Sequence, residues 1–401
     1  MAGASDKARF YLERAVPQLQ EFEQKKIFSK DEIRSLVKKR SDFEHKIVAR
    51  GTSPIDFAKY AAWEMNLEQL RQTRCKRLKI RVTSTISGQP RIFSIFDRGT
   101  KKHPGDLALW MSYLEYARKA KATKKFKTVL TASIRLHPTK SELWLYAARW
   151  ALEADSDIGE ARSFMQRGTR FCTTTRDLWI EYAKLEMIYL LKIALRRKIL
   201  GLDVDSSTVA EDEVGEAGRE TGFENAADMI SLTDIKTNTL KPSMIEGVKV
   251  DSEAQKNPMT TPALNGAIPL AIFDAGRKQP FFCASAAEDF FFMFTKFTQV
   301  RCMPALLQHV LDSMAEAYPT DPCTLCCSIR QPCVGIAPTS ADFPGALGSS
   351  LDRLKEGMMK TKGKAELSKK VRAWIEPILA EEDLDPSIRT VLSHTVRKLE
   401  P

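Results

Sequence analysis

Two sets of side chains in this sequence have types and spacings that chemistry uses. Cys323 and Cys326 stand in the Cys-x-x-Cys spacing of zinc ligands, Cys327 and Cys333 follow, and His309 precedes them. Four ligands can be drawn from that group, but the second closely spaced ligand pair of a structural zinc site is missing. Buried free thiols are common core residues and give the plainer reading. The second set is cationic: Lys38, Lys39 and Arg40, then Arg71, Arg74, Lys76, Arg77, Lys79 and Arg81. These are candidate contacts for RNA or for an acidic protein surface. For a run of only three, 38–40, a solvated helix face is the plainer reading than an import signal or an RNA-contact cluster.

Catalytic constellations are missing. The five histidines, at 45, 103, 137, 309 and 394, have no nucleophile pattern beside them. No glycine-rich phosphate loop runs into Lys-Ser/Thr, and neither Gly-x-Ser-x-Gly nor a supported carboxylate pair occurs. A non-enzymatic protein without metal or cofactor is expected. Charge is more informative. Residues 1–200 hold 41 Lys and Arg against 22 Asp and Glu, and residues 201–401 hold 21 against 29, so a net +19 faces a net −8. Such asymmetry favours an acidic partner for the first half. The eight cysteines form no paired framework, so reduced thiols are expected. No stretch reaches the roughly 20 apolar residues of a membrane span. Phe281–Phe294 comes nearest and is broken by Glu288 and Asp289. Asp6, Lys7 and Arg9 stand where a signal peptide has its apolar core, so a soluble, intracellular chain is expected.

The elements that position these residues read as helices. Residues 6–25 carry Phe10, Tyr11, Leu12, Val16, Leu19 and Phe22 at helical spacing, with Pro17 inside to kink or split the run. Ser29 and Glu32 make a capping box, with Phe28 and Ile33 as its hydrophobic staple. The helix so begun continues through Ile47 and Val48 to Gly51. Ser53-Pro54 opens the next one.

From there an internal repeat appears. Trp110 is followed by Tyr113, Trp144 by Ala147 and Trp179 by Tyr182; the Trp residues are 34 and 35 apart, and Pro104, Pro138 and Thr173 stand six before each. Phe57, Tyr60, Ala61 and Glu64 match Trp179, Tyr182, Ala183 and Glu186, which makes an earlier copy. A period near 34 is that of stacked helical hairpins. The basic residues 71–81 are expected on a partner helix of the first copy, followed by a turn over Thr83–Pro90. Second helices end at His103-Pro104, His137-Pro138 and Cys172-Thr173. Thr139 with Glu142, and Thr174 with Asp177, fit caps of the following helices. The repeat core is therefore Phe57, Tyr60, Trp110, Tyr113, Trp144, Trp179 and Tyr182. Their inward-facing spacing favours packing over base stacking.

Residues 201–265 are rich in acids, Ser, Thr and Gly and read as a disordered acidic linker. Helical patterning resumes at Ile268, where Ile272-Phe273-Asp274 echoes Ile95-Phe96-Asp97. Phe281–Phe297 reads as a helix buried on several sides. A further helix spans 304–318, and Leu325 stands where earlier copies have Trp. Helices over 351–362, 367–382 and from Pro386 complete the chain. The division expected is an N-terminal helical segment at 1–53, repeats at 54–200, the linker at 201–265, and degenerate repeat-like helices at 266–401. The fold class is all-α, a TPR-like helical-hairpin superhelix with an N-terminal helical segment.

Trp/Phe-x-x-Tyr-Ala-x-x-Glu on one helix, with Ile-Phe-Asp-Arg…His-Pro on the next, resembles the HAT (half-a-TPR) repeat. Tyr11-Leu12-Glu13, Ile27-Phe28-Ser29, Val37-Lys38-Lys39-Arg40, Phe43-Glu44, Tyr60 and Glu64-Met65-Asn66-Leu67 then follow in order. That order is similar to the U3 small-nucleolar-RNA-associated protein 6 family, over residues 7–200 and, more weakly, 266–340. The resemblance implies a HAT-repeat scaffold of the UtpB subcomplex in the small-subunit processome. Its neighbours would be β-propeller subunits, U3 snoRNA and pre-rRNA, its task 18S rRNA processing, and its place the nucleolus. The alternative it leaves is a HAT scaffold of pre-mRNA splicing or 3′-end processing.

Overall fold

The computed structural model describes residues 4–80, 87–154, 157–199, 265–381 and 384–399, and all regular structure among them is helical. None of the described helices is long and apolar enough to cross a membrane. The all-α hairpin class read from the sequence is what the chain adopts. It forms two compact units, Met1–Leu143 and Trp144–Pro401. Residues 201–264 of the expected linker, Arg81, and positions 83–86 of the expected turn lie outside the described residues.

In the first unit Pro17 splits the N-terminal run into α1 (Ala4–Glu13) and α2 (Val16–Gln24), where it occupies the first turn of α2. Helix α3 (Lys30–Val48) starts on the expected capping box: Ser29 Oγ accepts from Glu32 N at 3.2 Å and Glu32 Oε2 accepts from Ser29 N at 2.8 Å. Phe28 and Ile33, its staple, sit in one apolar cluster with Phe22, Ile27 and Leu67. Helix α4 (Pro54–Arg77) starts on a second box, Ser53 with Asp56. It is 24 residues long and corrects the expected hairpin. Arg71, Arg74, Lys76 and Arg77 lie on the same helix as Phe57 and Tyr60, because no breaker interrupts the pattern between them. The true partner is α5 (Gln89–Lys102), and it is followed by α6 (Leu107–Lys119) and α7 (Thr123–Leu136).

The second unit holds α8 (Ser141–Ala154), α9 (Ile158–Phe171), α10 (Arg176–Ile199), α11 (Ala267–Arg277), α12 (Ala284–Phe294), α13 (Met303–Ala317), α14 (Pro322–Arg330), α15 (Phe343–Lys360), α16 (Lys364–Leu379) and α17 (Pro386–Lys398). Helices α8 and α10 begin one residue too late for Thr139 and Thr174 to flank them. In each, the turn closes instead on the preceding helix end, through Lys140 N to His137 O and Thr175 N to Cys172 O. In both units the helix pairs that pack together stand one or two apart in sequence, the rule of a hairpin array.

The seven aromatic repeat residues are all buried. Where Phe57 and Trp144 approach a neighbouring helix, a glycine stands on its surface. A Cβ at Gly99 of α5 would lie 3.1 Å from Phe57 and 3.0 Å from Leu109. One at Gly168 of α9 would lie 2.9 Å from Trp144 Cγ and 3.3 Å from Leu178. The same arrangement recurs in the C-terminal part with smaller residues: a Cβ at Gly357 of α15 would meet Leu325, the residue in the Trp position, at 3.7 Å. The degenerate copy thus keeps the packing scheme and replaces the aromatic. Gly168→Ala is expected to cost about 1–3 kcal/mol through overpacking. Gly105→Ala, with nothing within 4 Å of its Cβ, is expected to be near neutral. Urea unfolding midpoints of the two variants check this.

Candidate nucleic-acid interface

The candidate cations separate into two groups. Arg40 is 1% exposed and Arg71 3%. Arg74 is half-buried, whereas Lys38, Lys39, Lys76, Arg77 and Lys79 are exposed. Arg40 and Arg71 are therefore structural, which corrects their reading as partner contacts.

Arg40 projects from α3 into the space between α2 and α4. Its Nε donates to Glu64 Oε1 at 2.8 Å and its Nη2 to Glu64 Oε2 at 3.0 Å and to Gln18 Oε1 at 3.2 Å. One turn on, buried Glu44 accepts Tyr60 Oη at 3.0 Å and both arms of Arg98 at 2.7 and 2.9 Å. The Arg98 guanidinium also lies 3.8 Å over the Tyr11 ring, a cation–π contact that fixes α1. Burial, followed by the charges of Glu64 and Glu44, raises the Tyr60 hydroxyl and keeps it a donor. Lower on α4, Arg71 pairs with Glu68 at 2.5 and 2.8 Å, and Glu68 Oε2 accepts Gly88 N at 2.9 Å. Arg74 forks onto Glu32 at 2.7 and 2.8 Å and reaches Ile27 O. The bond from Arg74, with the one from Ser29 N, lowers Glu32 from its ordinary 4.5 to about 2. Lys102 Nζ caps the C-terminus of α3 through Ile47 O, Ala49 O and Thr52 Oγ1.

The polar parts of the repeat follow the same logic. In three copies the motif Tyr bonds a side chain 16 residues earlier: Tyr60 to Glu44, Tyr113 to Asp97 at 2.7 Å, and Tyr182 to Gln166. In two copies the motif Glu receives an Arg 24 residues earlier: Glu64 from Arg40, and Glu186 from Arg162 at 2.7 and 2.6 Å. The sequence contains both separations, and they are the signal that removes Arg40 from the surface set. That signal is masked by position, since Arg40 ends a Lys-Lys-Arg run that looks solvated.

The cysteine group is dispersed into packing. Cys323, Cys326 and Cys327 are buried on α14, Cys333 Sγ lies 3.3 Å from Ser350 Oγ, and His309 Nε2 lies 2.8 Å from Asp274 Oδ1. Burial pushes the Cys326 thiol up to about 11 and raises Cys323 and Cys327 too, favouring neutral thiols. Among the described residues no group of three or more ligands is assembled for a metal. All eight cysteines are thiols.

What remains available to a partner is the exposed set: Lys38 and Lys39 on α3, Lys76 and Arg77 at the end of α4, and Lys79, whose φ of 54° forms the left-handed turn that ends the helix. The internal pair makes a clear prediction. Glu64→Gln leaves buried Arg40 without its counter-charge and is expected to cost about 3–5 kcal/mol. Lys39→Gln on the exposed face of the same helix as Arg40 is expected to stay within about 0.5 kcal/mol. Chemical denaturation of both variants measures the difference.

Comparison with known proteins falls on the same stretch. Residues 12–95 match the family model described as U3 small nucleolar RNA-associated protein 6. A protein of that name from Schizosaccharomyces pombe is 34% identical over 226 residues, 54% of this chain and 46% of the relative. Its Homo sapiens homolog is 29% identical over 209 residues, 50% of this chain and 35% of the relative. The Dictyostelium discoideum homolog is 27% identical over 186 residues, 46% and 30% respectively. The matches thus span less than half the length of these curated relatives. Over residues 12–95, and over about half of its length in these relatives, the chain is similar to the U3 small nucleolar RNA-associated protein 6 family.

Proposed function

We propose that the protein is a non-catalytic scaffold subunit of the small-subunit processome, the U3 snoRNP-containing 90S pre-ribosome, and acts in 18S rRNA precursor processing in the nucleolus. The observation that carries this reading is the family match over residues 12–95. That stretch spans Arg40, Glu44, Tyr60 and Glu64, the centre of the buried network of the first unit. The relatives are named for association with U3 small nucleolar RNA.

Physical chemistry supports the assembly role. A hairpin array buries each helix against its neighbours and leaves long surfaces for partners. In this reading other processome subunits, β-propeller proteins among them, dock on those surfaces. Lys38, Lys39, Lys76, Arg77 and Lys79 contribute to holding U3 snoRNA or pre-rRNA through phosphate contacts, which position RNA without reading its sequence.

Purification of the tagged protein from cells, followed by sequencing of the bound RNA, tests the proposal. Recovery of U3 RNA and 18S precursor is expected. Recovery of spliceosomal or mRNA 3′-end RNAs instead would overturn it in favour of a HAT scaffold of those pathways. Changing the five exposed cations to Gln is expected to flatten the salt dependence of RNA binding by about 0.7 for each phosphate no longer neutralised, with the thermal midpoint unchanged.

A further inference from the structure

Between α1, α2 and the first turn of α5 lies a cavity of about 190 Å³. Its chemistry is one-sided. The described residues of its wall carry the guanidinium groups of Arg14 and Arg91, the hydroxyls of Ser87 and Ser94, the amide of Gln18 and the edge of Tyr11, and no carboxylate. The carboxylates behind these groups are committed elsewhere. Both oxygens of Glu64 accept from Arg40, and both oxygens of Glu44 accept from Arg98. Arg91 is thus left 4.0 Å from Glu64 Oε1, beyond hydrogen-bond reach, and its buried Nε has no hydrogen-bond partner. Arg40 Nη1, in a side chain 1% exposed, is in the same state. Three guanidinium groups share two carboxylates, and Arg14, 5.8 Å from the Phe10 ring, adds a further cation at the rim. The positive end of the α5 dipole has the same sign.

We propose that this cavity binds a phosphate group of RNA. An anion is what the cation surplus lacks. Two guanidinium forks and two hydroxyls offer more donors than the two oxygens of a carboxylate can accept. An RNA phosphate adds ester and ribose oxygens to its charged pair, and it takes an Arg fork bidentately. The source follows from the surroundings. Lys38 and Lys39 on α3, and Lys76 and Arg77 on α4, are exposed on the same unit and suit a polyanion over a peptide bearing one phosphate. The source of the phosphate rests on the RNA contact proposed above, while the anion chemistry rests on the cavity alone.

The test uses the full chain and a labelled single-stranded oligoribonucleotide at about 0.15 M salt. The unaltered protein is expected to bind it and to release it when inorganic phosphate is added. The double variant Arg14→Gln, Ser94→Ala is expected to bind about tenfold more weakly, with a salt slope lower by about 0.7, and to show no response to phosphate. Arg14 is exposed, and Arg98 Nε donates to the Ser94 carbonyl and not to its hydroxyl, so the thermal midpoint is expected to hold. Arg91→Lys, which keeps the charge and removes the fork, is expected to fall between the two. RNA binding that the double variant leaves unchanged would overturn the pocket while leaving RNA contact standing. Phosphate binding without RNA binding, or tighter binding of a phosphoserine peptide than of the oligoribonucleotide, would overturn the assignment to RNA.

Discussion

A guanidinium removed from water must be neutralised where it stands, and the first unit is built around one that is. Arg40 holds α3 against α4 through both oxygens of Glu64 and against α2 through Gln18. Replacing such a pair by apolar residues can be neutral, yet breaking it is costly, so its value lies in fixing one arrangement of the helices. Glu44 extends the same constraint to α5 through Arg98, and Arg98 extends it to α1 through Tyr11. Five helices are thereby tied through two buried carboxylates.

This changes what the N-terminal helices are. The separation of 24 residues between Arg40 and Glu64 is repeated by Arg162 and Glu186 across α9 and α10. Helix α3 therefore stands to α4 as α9 stands to α10, a second helix of a repeat whose first helix is replaced by α1 and α2. Among the residues that carry the resemblance in the sequence, Ile27, Phe28, Arg40, Glu44, Tyr60, Glu64 and Leu67 are interior, while Lys38 and Lys39 lie on the surface.

What the sequence disclosed depended on how local the physics is. The capping box at Ser29 and the break at Pro17 need only neighbours within a turn, and both were legible. The aromatic ladder was legible because it is periodic. The length of α4 was not, because Arg71 and Arg74 sit on its inward side, where charge in the sequence suggests a surface. Gly99 and Gly168 look in isolation like helix breakers, and only the packed Phe57 and Trp144 show why a side chain is excluded there. The proposed phosphate cavity brings the end of α1 to α5, with Arg14 and Ser94 80 positions apart, so no local pattern announces it.

The central claim is that the buried charges make α3, α4 and α5 a single cooperative unit. Native-state hydrogen exchange over residues 30–102, in the unaltered protein and in Glu44→Gln, tests it most directly. The account predicts that the slowest amides of the three helices open with one common free energy, and that the substitution lowers all three together. Loss of protection confined to α3, with α4 and α5 unchanged, would contradict it.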